Sequence, residues 1–373
     1  MVAPLITHFS KIKDPRQSGK IEHKLIDILV LSICATICGA EGWEMIESFG
    51  KVRLNWLKKF LELKNGIPSH DTIARVISSI NPNELQSCFS SWVNDVNEMS
   101  QGEILALDGK TLRGALRRGG RAGAIHRVSA WACKNKIVIG QKAVDSKENE
   151  LAAIPKLLKQ LELKGCIVTM DAMGAQKSHT KQIIEQQGDY VLSIKENHPI
   201  LYQDIQGYFL DVTRNSLRRR KAVLYNREDN EGHGRIESRQ NYISTDLSKI
   251  SQANQWVGLT AIGMVESFRT INGVTSVEQR FYICSKALSA KKFGTTVRSH
   301  WGIENKLHWR MDVGMNEDFC PIHRGYASEN LSVIRHIVIN LLKKDKVFKK
   351  GVKAKRFRAG LDEEYALKVL LQK

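Results

Sequence analysis

The sequence predicts an α/β protein in which a mixed sheet with flanking helices follows an all-helical N-terminal domain. Residues 1–100 repeat apolar side chains at helical spacing. From residue 101 onwards, short apolar runs of strand length alternate with amphipathic segments of helix length. A chain of 373 residues is long enough for two or three domains. We therefore expect a helical domain at 1–100, an α/β domain at 101–340 and a basic C-terminal tail at 341–373.

The N-terminal domain is predicted to contain several helices. An apolar run at 23–39 ends at a glycine, and residues 43–63 repeat large apolar side chains at helical spacing. A further helix has Ser69 or Asp71 as its candidate N-cap, and another extends through Trp92. A turn before a capped helix is compatible with helix-turn-helix DNA binding, but we favour a plain helical bundle.

The residues from 101 to 195 predict a regular order of elements. The order is three strands, a crossover helix, a strand, a helix and a strand, and the second and third strands form a hairpin. Residues from about 200 to 285 break this alternation with strand-like pieces and a basic loop. We interpret them as a β-rich insertion before the helix that follows.

The charge of the chain indicates a polyanionic partner. There are 57 Lys and Arg residues against 39 Asp and Glu residues, which gives a net charge of +18. Unbalanced basic runs occupy residues 110–142, 214–221 and 343–358. The uncharged stretch at 28–40 is shorter than the ~20 residues that a membrane-spanning helix needs. Nucleic acid is therefore the expected partner, and such a surface should bind DNA in a salt-dependent way.

The expected compartment is the cytoplasm. The seven cysteines are scattered and odd in number, which is typical of a reducing compartment rather than a disulfide framework. The chain also opens without a basic and apolar leader segment, so we do not expect secretion.

Three acidic residues are candidate metal ligands. Asp108 and Asp171 each stand where an apolar run of strand length stops, and Glu304 lies on a predicted helix. Carboxylate oxygens are the ligands that Mg²⁺ prefers, so a folded domain that brings these three together could hold one or two ions. Further acids compete with Glu304 for the third position, namely Asp312, Glu317 and Asp318.

Several phrases of the sequence together resemble a known family. They include EHKLIDILVLSICATICGAEGWEMIESFG, NGIPSHDTIARVISSI, ALDGKTLRG, GAIHRVSA, DAMGAQK, EGHGRIE, HWGIENKLHWRMDV and NEDF. The chain resembles the H-repeat-associated proteins, which are insertion-sequence transposases of the DDE type with an RNase H-like core. The order of predicted elements is that of such a core. The resemblance implies Asp108 and Asp171 as metal-binding aspartates, Glu304 as the third acid, and Mg²⁺ or Mn²⁺ as cofactor.

Basic residues near these acids are the predicted DNA contacts. They lie after Asp108, in the basic loop of the insertion, and around Glu304: Lys110, Arg113, Arg218, Arg219, Arg220, Arg298, His300 and His308. On one helix, His300, Glu304 and His308 would share a face and could bind zinc. We favour phosphate contact by the histidines, because the spacing lacks the compact zinc motif.

The predicted function is DNA transposition: the protein is expected to cut DNA at the ends of an insertion sequence and to join them to target DNA by two-metal phosphodiester chemistry. The resemblance implies that it does so at the bacterial nucleoid. The expected partners are double-stranded DNA, as the terminal inverted repeats of the element and as target DNA, and a second copy of the chain in a synaptic complex. Two alternatives stay open: a catalytically inactive, element-derived DNA-binding protein, and a structure-selective nuclease that cleaves without joining. The intact acids favour an enzyme, whereas the sequence FCPIHRG after the NED phrase favours the inactive protein.

Overall fold

The computed structural model describes residues 3–96, 101–112, 125–144, 150–214, 223–232, 235–322 and 324–372. The chain forms two compact units. The first comprises residues 1–99, 109–149 and 304–373, and the second comprises residues 100–108 and 150–303. This division differs from the predicted domains, because the helical N-terminal residues share a unit with two later segments of the chain. The strand that carries Asp108 continues from the second unit into the first.

The helices and strands are numbered in chain order. The helices are α1 (Ala3–Phe9), α2 (Leu25–Ile37), α3 (Trp43–Val52), α4 (Leu54–Leu57), α5 (His70–Ser79), α6 (Pro82–Val96), α7 (Glu150–Leu158), α8 (Lys177–Glu185), α9 (Pro199–Arg214), α10 (Ala290–His300), α11 (Trp309–Met315), α12 (Ala327–Lys344), α13 (Val352–Leu361) and α14 (Glu363–Leu371). The strands are β1 (Ile104–Leu112), β2 (Ile125–Ala132), β3 (Ile137–Ala143), β4 (Ile167–Met170), β5 (Asp189–Ile194), β6 (Leu224–Gly232), β7 (Arg235–Ser244), β8 (Ala261–Ile271) and β9 (Val274–Cys284).

The helices of the first unit confirm the predicted helical N-terminal segment. The apolar helix α2 is buried along almost its whole length and stops before Gly39, whose φ of 111° suits glycine. Ser69 caps the N-terminus of helix α5, and its hydroxyl accepts the Thr72 N–H at 3.3 Å. Helix α12 packs against α2, α5 and α6. The strands β2 and β3 form the predicted antiparallel hairpin, which lies beside β1 in the order β3-β2-β1.

The expected basic tail is wrong as a description of residues 341–373, because α13 and α14 are helices packed in the first unit. Lys355 and Arg356, which belong to the basic run at 343–358, are buried. The Arg356 guanidinium donates to the Thr36 carbonyl at 3.0 Å and to the Ala40 carbonyl at 3.1 Å. Thr36 lies in the last turn of α2 and Ala40 lies three residues beyond its end, so Arg356 adds a donor where a helix C-terminus has few backbone N–H groups to offer. The basic run therefore contributes to folding at these two positions.

Replacing Arg356 with methionine is expected to destabilise the protein by about 3 kcal/mol, because buried carbonyls at the end of α2 lose a charged donor. Chemical unfolding followed by circular dichroism measures the change. The exposed Lys353, on the same helix, is the control. Its replacement by methionine should change the free energy of unfolding by less than about 0.5 kcal/mol, and equal losses in both variants would contradict the capping role.

The second unit contains a mixed sheet in the order β1-β4-β5-β9-β8-β7-β6. Strands β1, β4 and β5 are parallel to one another, whereas β9 runs antiparallel to β5. Across the sheet, β8, β7 and β6 lie beyond β9, and each pairs antiparallel with its neighbour. The segment 200–285 is β-rich, as predicted, and its strands extend the sheet; α9 and β6 were not predicted. Together with the hairpin of the first unit, the order of elements confirms the mixed α/β fold with an RNase H-like core.

Helix α10 lies close against the sheet of the second unit, and this contact positions its C-terminal residues. Phe293 is buried in a cluster with Ile243, Ala261 and Tyr282. A Cβ atom at Gly263 would lie 2.4 Å from the Phe293 ring, so strand β8 needs a glycine there. The last residue of α10, His300, is thereby held at a fixed place relative to β4. Among the residues that the structure describes, every helix is too short or too polar to span a bilayer.

Candidate active site

Asp108 and Asp171 lie at the same end of two neighbouring parallel strands in the second unit. Strands β1 and β4 pair Ala106 with Thr169; Asp108 lies two residues further along β1, and Asp171 directly follows the last residue of β4. Neighbouring strands are about 4.8 Å apart, so the register brings both carboxylates to the same edge of the sheet. Asp108 is half-buried and Asp171 is exposed. The structure therefore places two of the three predicted acids where they could share an ion.

Asp171 borders a cleft of about 760 Å³ within the second unit. Its Oδ1 atom accepts the Gly174 N–H at 2.9 Å, which orients the carboxylate. The cleft is also lined by Lys195 and Arg280. The Arg280 guanidinium lies 4.5 Å from the centre of the Trp301 ring and forms an ion pair with Glu278 at 2.8 Å. The lining also includes the acids Glu196 and Glu278, so two cations and three carboxylates, one of them Asp171, border this cleft.

His300 is in contact with the strand that leads to Asp171. Its Nδ1 atom lies 3.0 Å from the Thr169 hydroxyl, which also lies 3.4 Å from the Leu105 carbonyl. If Thr169 donates to that carbonyl, His300 donates from Nδ1 and keeps a lone pair on Nε2. Desolvation lowers the pKa of His300 to about 4, although the nearby Asp171 carboxylate opposes the shift. The imidazole is therefore neutral at pH 7 and polar rather than cationic.

Arg298, another predicted DNA contact, is half-exposed on α10. Its Nη1 atom lies 3.6 Å from the Glu228 carboxylate on β6, also within the second unit. An exposed ion pair at that distance is weak, so the guanidinium remains accessible to a phosphate group.

Glu304 opens a single π-helical turn, Glu304–His308, and its side chain is exposed. Helix α10 ends at His300. The prediction that one continuous helix carries both His300 and Glu304 is therefore wrong. The predicted shared face of His300, Glu304 and His308 is wrong for the same reason, since it requires regular α-helical spacing. His308 is buried, and desolvation lowers its pKa to about 4. Single π-helical turns occur frequently at functional sites, and this one presents the candidate third acid to solvent.

The competing acids of the first unit form an ion cluster with Lys110. The Lys110 ammonium forms an ion pair with Asp312, and it lies 3.3 Å from Glu317 and 3.7 Å from Asp318. Only 12% of the Lys110 side chain is exposed. The structure thus gives Lys110 protein carboxylates as partners in place of the expected phosphates. Of the candidate third acids, Glu304 is the one that stands outside this cluster.

Glu317 is the centre of the ion cluster. Its side chain is 2% exposed and lies 3.2 Å from Arg127 and 4.0 Å from Arg335. Although burial acts to raise the pKa of Glu317, these cations hold it well below its usual range. This cluster was not predicted from the sequence. The sequence feature that could have indicated this cluster is Arg127, the one Lys or Arg in a segment of strand length that is mainly uncharged. A buried charge requires a partner of opposite charge.

The remaining predicted DNA contacts, Arg113 and Arg218 to Arg220, lie outside the described residues. Within the described ranges, no group of three or more His, Cys, Asp or Glu side chains is arranged to hold a metal ion. Asp108 and Asp171 nevertheless fit a divalent cation by chemistry, because both offer carboxylate oxygens at the same end of two paired parallel strands. A shared site with Glu304 stays a prediction.

Comparisons with the sequences of known proteins agree on one family. Residues 99–341 match the description "Transposase DDE domain", and residues 6–93 match "DDE_Tnp_1-associated". The chain is 44% identical to the "H repeat-associated putative transposase YhhI" of Escherichia coli K12, over 98% of this chain and 97% of that protein. It is 41% identical to the "Putative transposase YncI" of E. coli O157:H7, over 99% and 95% of the two chains. A piggyBac transposase synaptic complex with hairpin DNA aligns at a TM-score of 0.41 and 11% identity, over 98% of this chain and 77% of its own.

Proposed function

Because the chain belongs to the transposase DDE domain family, we propose that it cuts DNA at the ends of an insertion sequence and joins the ends to target DNA. The observation that supports this proposal is the parallel register of β1 and β4, because Asp108 and Asp171 each lie two residues beyond the paired Ala106 and Thr169, towards the same edge of the sheet. A pair of adjacent carboxylates is the arrangement from which a divalent metal site for phosphodiester chemistry is built.

In the proposed mechanism, Asp108 and Asp171 would hold Mg²⁺ or Mn²⁺, and the exposed Glu304 would complete the ligand set. Such an ion, when bound, would supply charge neutralisation at the scissile phosphate and activation of the attacking oxygen. The Gly174 N–H keeps Asp171 oriented for this role. Both cleavage and joining are in-line displacements at phosphorus. The protein therefore contributes mainly by positioning the DNA strand and by neutralising the charge of its phosphate groups.

The DNA strand is proposed to enter the cleft beside Asp171. Lys195 and Arg280 line this cleft and offer cationic contacts to the backbone. Arg298 lies on α10, whose last residue contacts β4, and is placed to contribute a phosphate contact. Since joining requires two element ends to be held together, we propose that a homodimer forms the synaptic complex.

The basic loop of the insertion is proposed to bind the DNA backbone. Replacing Arg218, Arg219 and Arg220 with alanine should weaken binding to all sequences alike, because phosphate contacts carry no sequence information. The slope of log affinity against log salt concentration should flatten by about one unit for each phosphate that the variant no longer neutralises. Fluorescence anisotropy with a specific and an unrelated duplex, measured over a series of salt concentrations, tests this expectation.

The matched control removes three positive charges elsewhere. Lys58, Lys59 and Lys64 are exposed and lie outside the three basic runs. Their replacement by alanine lowers the net charge equally and should leave the salt slope close to that of the wild type. Equal flattening in both triple variants would mean that net charge, rather than the loop, governs binding.

The test of the proposed function is incubation of the purified protein with Mg²⁺ and DNA carrying the flanking inverted repeats. Denaturing gels are expected to show nicks at the element ends, and a supplied target plasmid should yield joined products. Cleavage without joining would indicate the structure-selective nuclease. Binding without nicks, in Mg²⁺ and in Mn²⁺, would indicate the inactive DNA-binding protein.

A further inference from the structure

The ion cluster around Lys110 connects the strand of the candidate active site to the segment after Glu304. Lys110 lies on β1 two residues beyond Asp108, so both side chains project from the same face of that strand. Its partners Asp312, Glu317 and Asp318 belong to α11 and the turn that follows it. The cluster therefore attaches the end of β1 to a separate part of the first unit.

The cluster is balanced in charge and supported by further polar contacts. Three cations, Lys110, Arg127 and Arg335, face the three carboxylates of the cluster. The Ser332 hydroxyl donates to Glu317 Oε1 at 3.2 Å. The neighbouring His336 is neutral, because burial lowers its pKa to about 3. Charges removed from water are favourable only in such a matched set, so each member holds the others in place.

If the ion cluster served only to stabilise the fold, apolar side chains could take the place of Lys110 and its partners. Apolar side chains of similar size often stabilise a protein as well as a buried ion cluster does, whereas an ion cluster fixes one geometry. The cation from β1 is the member nearest in sequence to a candidate metal ligand. It is also the member that lies within ion-pair distance of all three carboxylates.

We propose that Lys110 is a positioning residue, which holds the end of β1 so that the Asp108 carboxylate stays in the geometry that binds the divalent metal. This inference rests on the proposed function, since it takes Asp108 to be a metal ligand. Groups that orient metal ligands typically change metal affinity by about 10–100-fold when they are removed. Loss of Lys110 should therefore weaken metal binding without touching the ligands themselves.

Lys110 cannot be tested by a single substitution alone, because Lys110→Met leaves buried carboxylates without their cation and so threatens the fold itself. The test variant is therefore Lys110→Met with Asp312→Asn, which removes one positive and one negative charge together. The matched control is Arg335→Met with Asp312→Asn, which removes the same carboxylate together with a different cation of the cluster, so that Lys110 keeps Glu317 and Asp318 as partners. Urea unfolding verifies that both double variants are folded.

The readout is Mn²⁺ binding by the full-length protein, measured by electron paramagnetic resonance without DNA and thus without turnover. The Lys110 double variant is expected to bind Mn²⁺ about 10–100-fold more weakly than the wild type, while the control stays within about threefold. The half-saturating Mg²⁺ concentration for DNA cleavage should rise in the same proportion. Equal Mn²⁺ affinity in the two folded double variants would overturn the positioning role.

The variant Asp108→Asn separates this inference from the proposed function. If Mn²⁺ binding is lost in Asp108→Asn but intact in the Lys110 double variant, the metal site stands and the positioning role is overturned. If the wild type and Asp108→Asn bind Mn²⁺ equally, Asp108 is not a ligand, and both proposals are overturned.

Discussion

Asp108→Asn is expected to reduce DNA strand cleavage by at least about a thousandfold while leaving DNA affinity nearly unchanged. The amide keeps the shape of the side chain and loses the charge that binds a divalent cation. A thousandfold loss corresponds to about 4 kcal/mol of transition-state stabilisation, which is the scale of metal assistance to a phosphoryl oxygen. Single-turnover cleavage of end-containing DNA in Mg²⁺, with binding measured in parallel, gives both quantities.

Asp189→Asn is the matched control for this prediction. Asp189 begins β5, at the opposite end of the parallel strands from Asp108 and Asp171, and pairs with Lys286 at 3.0 Å. The substitution removes one carboxylate from the same sheet, at a position away from the candidate site. Cleavage should remain within about threefold of the wild type. If the two variants lose cleavage equally, the effect arises from the fold, and Asp108 has no special role as a ligand.

The placement of Asp108 and Asp171 could be predicted from sequence for a simple physical reason. Both follow apolar runs that have the length of buried strands, and parallel strands deliver their carboxyl ends to the same edge of a sheet. The structure pairs those strands in the register that this argument needs. The start of helix α5 could also be predicted, since serine is a preferred N-cap residue. In the structure, the Ser69 side chain accepts the Thr72 backbone N–H, as expected of a cap.

The internal roles of Lys110 and Arg356 could not be predicted, because they depend on contacts between distant parts of the chain. In sequence, Lys110 and Arg356 are indistinguishable from the other basic residues of their runs. Lys110 meets an acid 202 residues later, and Arg356 meets a carbonyl 320 residues earlier. Charge composition therefore predicted a polyanionic partner but overstated how many cations are available to it. The two-unit division escaped prediction for the same reason, since linear boundaries cannot represent interleaved segments.

The second large effect is expected at Glu304. Glu304→Gln should reduce cleavage by at least about a thousandfold, because an exposed carboxylate of the proposed ligand set is lost. Asp312→Asn should reduce cleavage by no more than about tenfold. In that variant Lys110 still has Glu317 within 3.3 Å as a partner, so the ion cluster is weakened but retained.

Single-turnover cleavage of the same DNA substrate in Mg²⁺, by the wild type and both variants, decides which acid is the third ligand. Urea unfolding provides the control for stability, and it should show the larger change in Asp312→Asn, whose side chain is half-buried and ion-paired. Glu304 is exposed, so its replacement should leave the free energy of unfolding within about 0.5 kcal/mol. A severe loss of cleavage in Asp312→Asn with normal cleavage in Glu304→Gln would transfer the third position to Asp312. The Lys110–Asp312 ion pair would then have to open before a metal could bind.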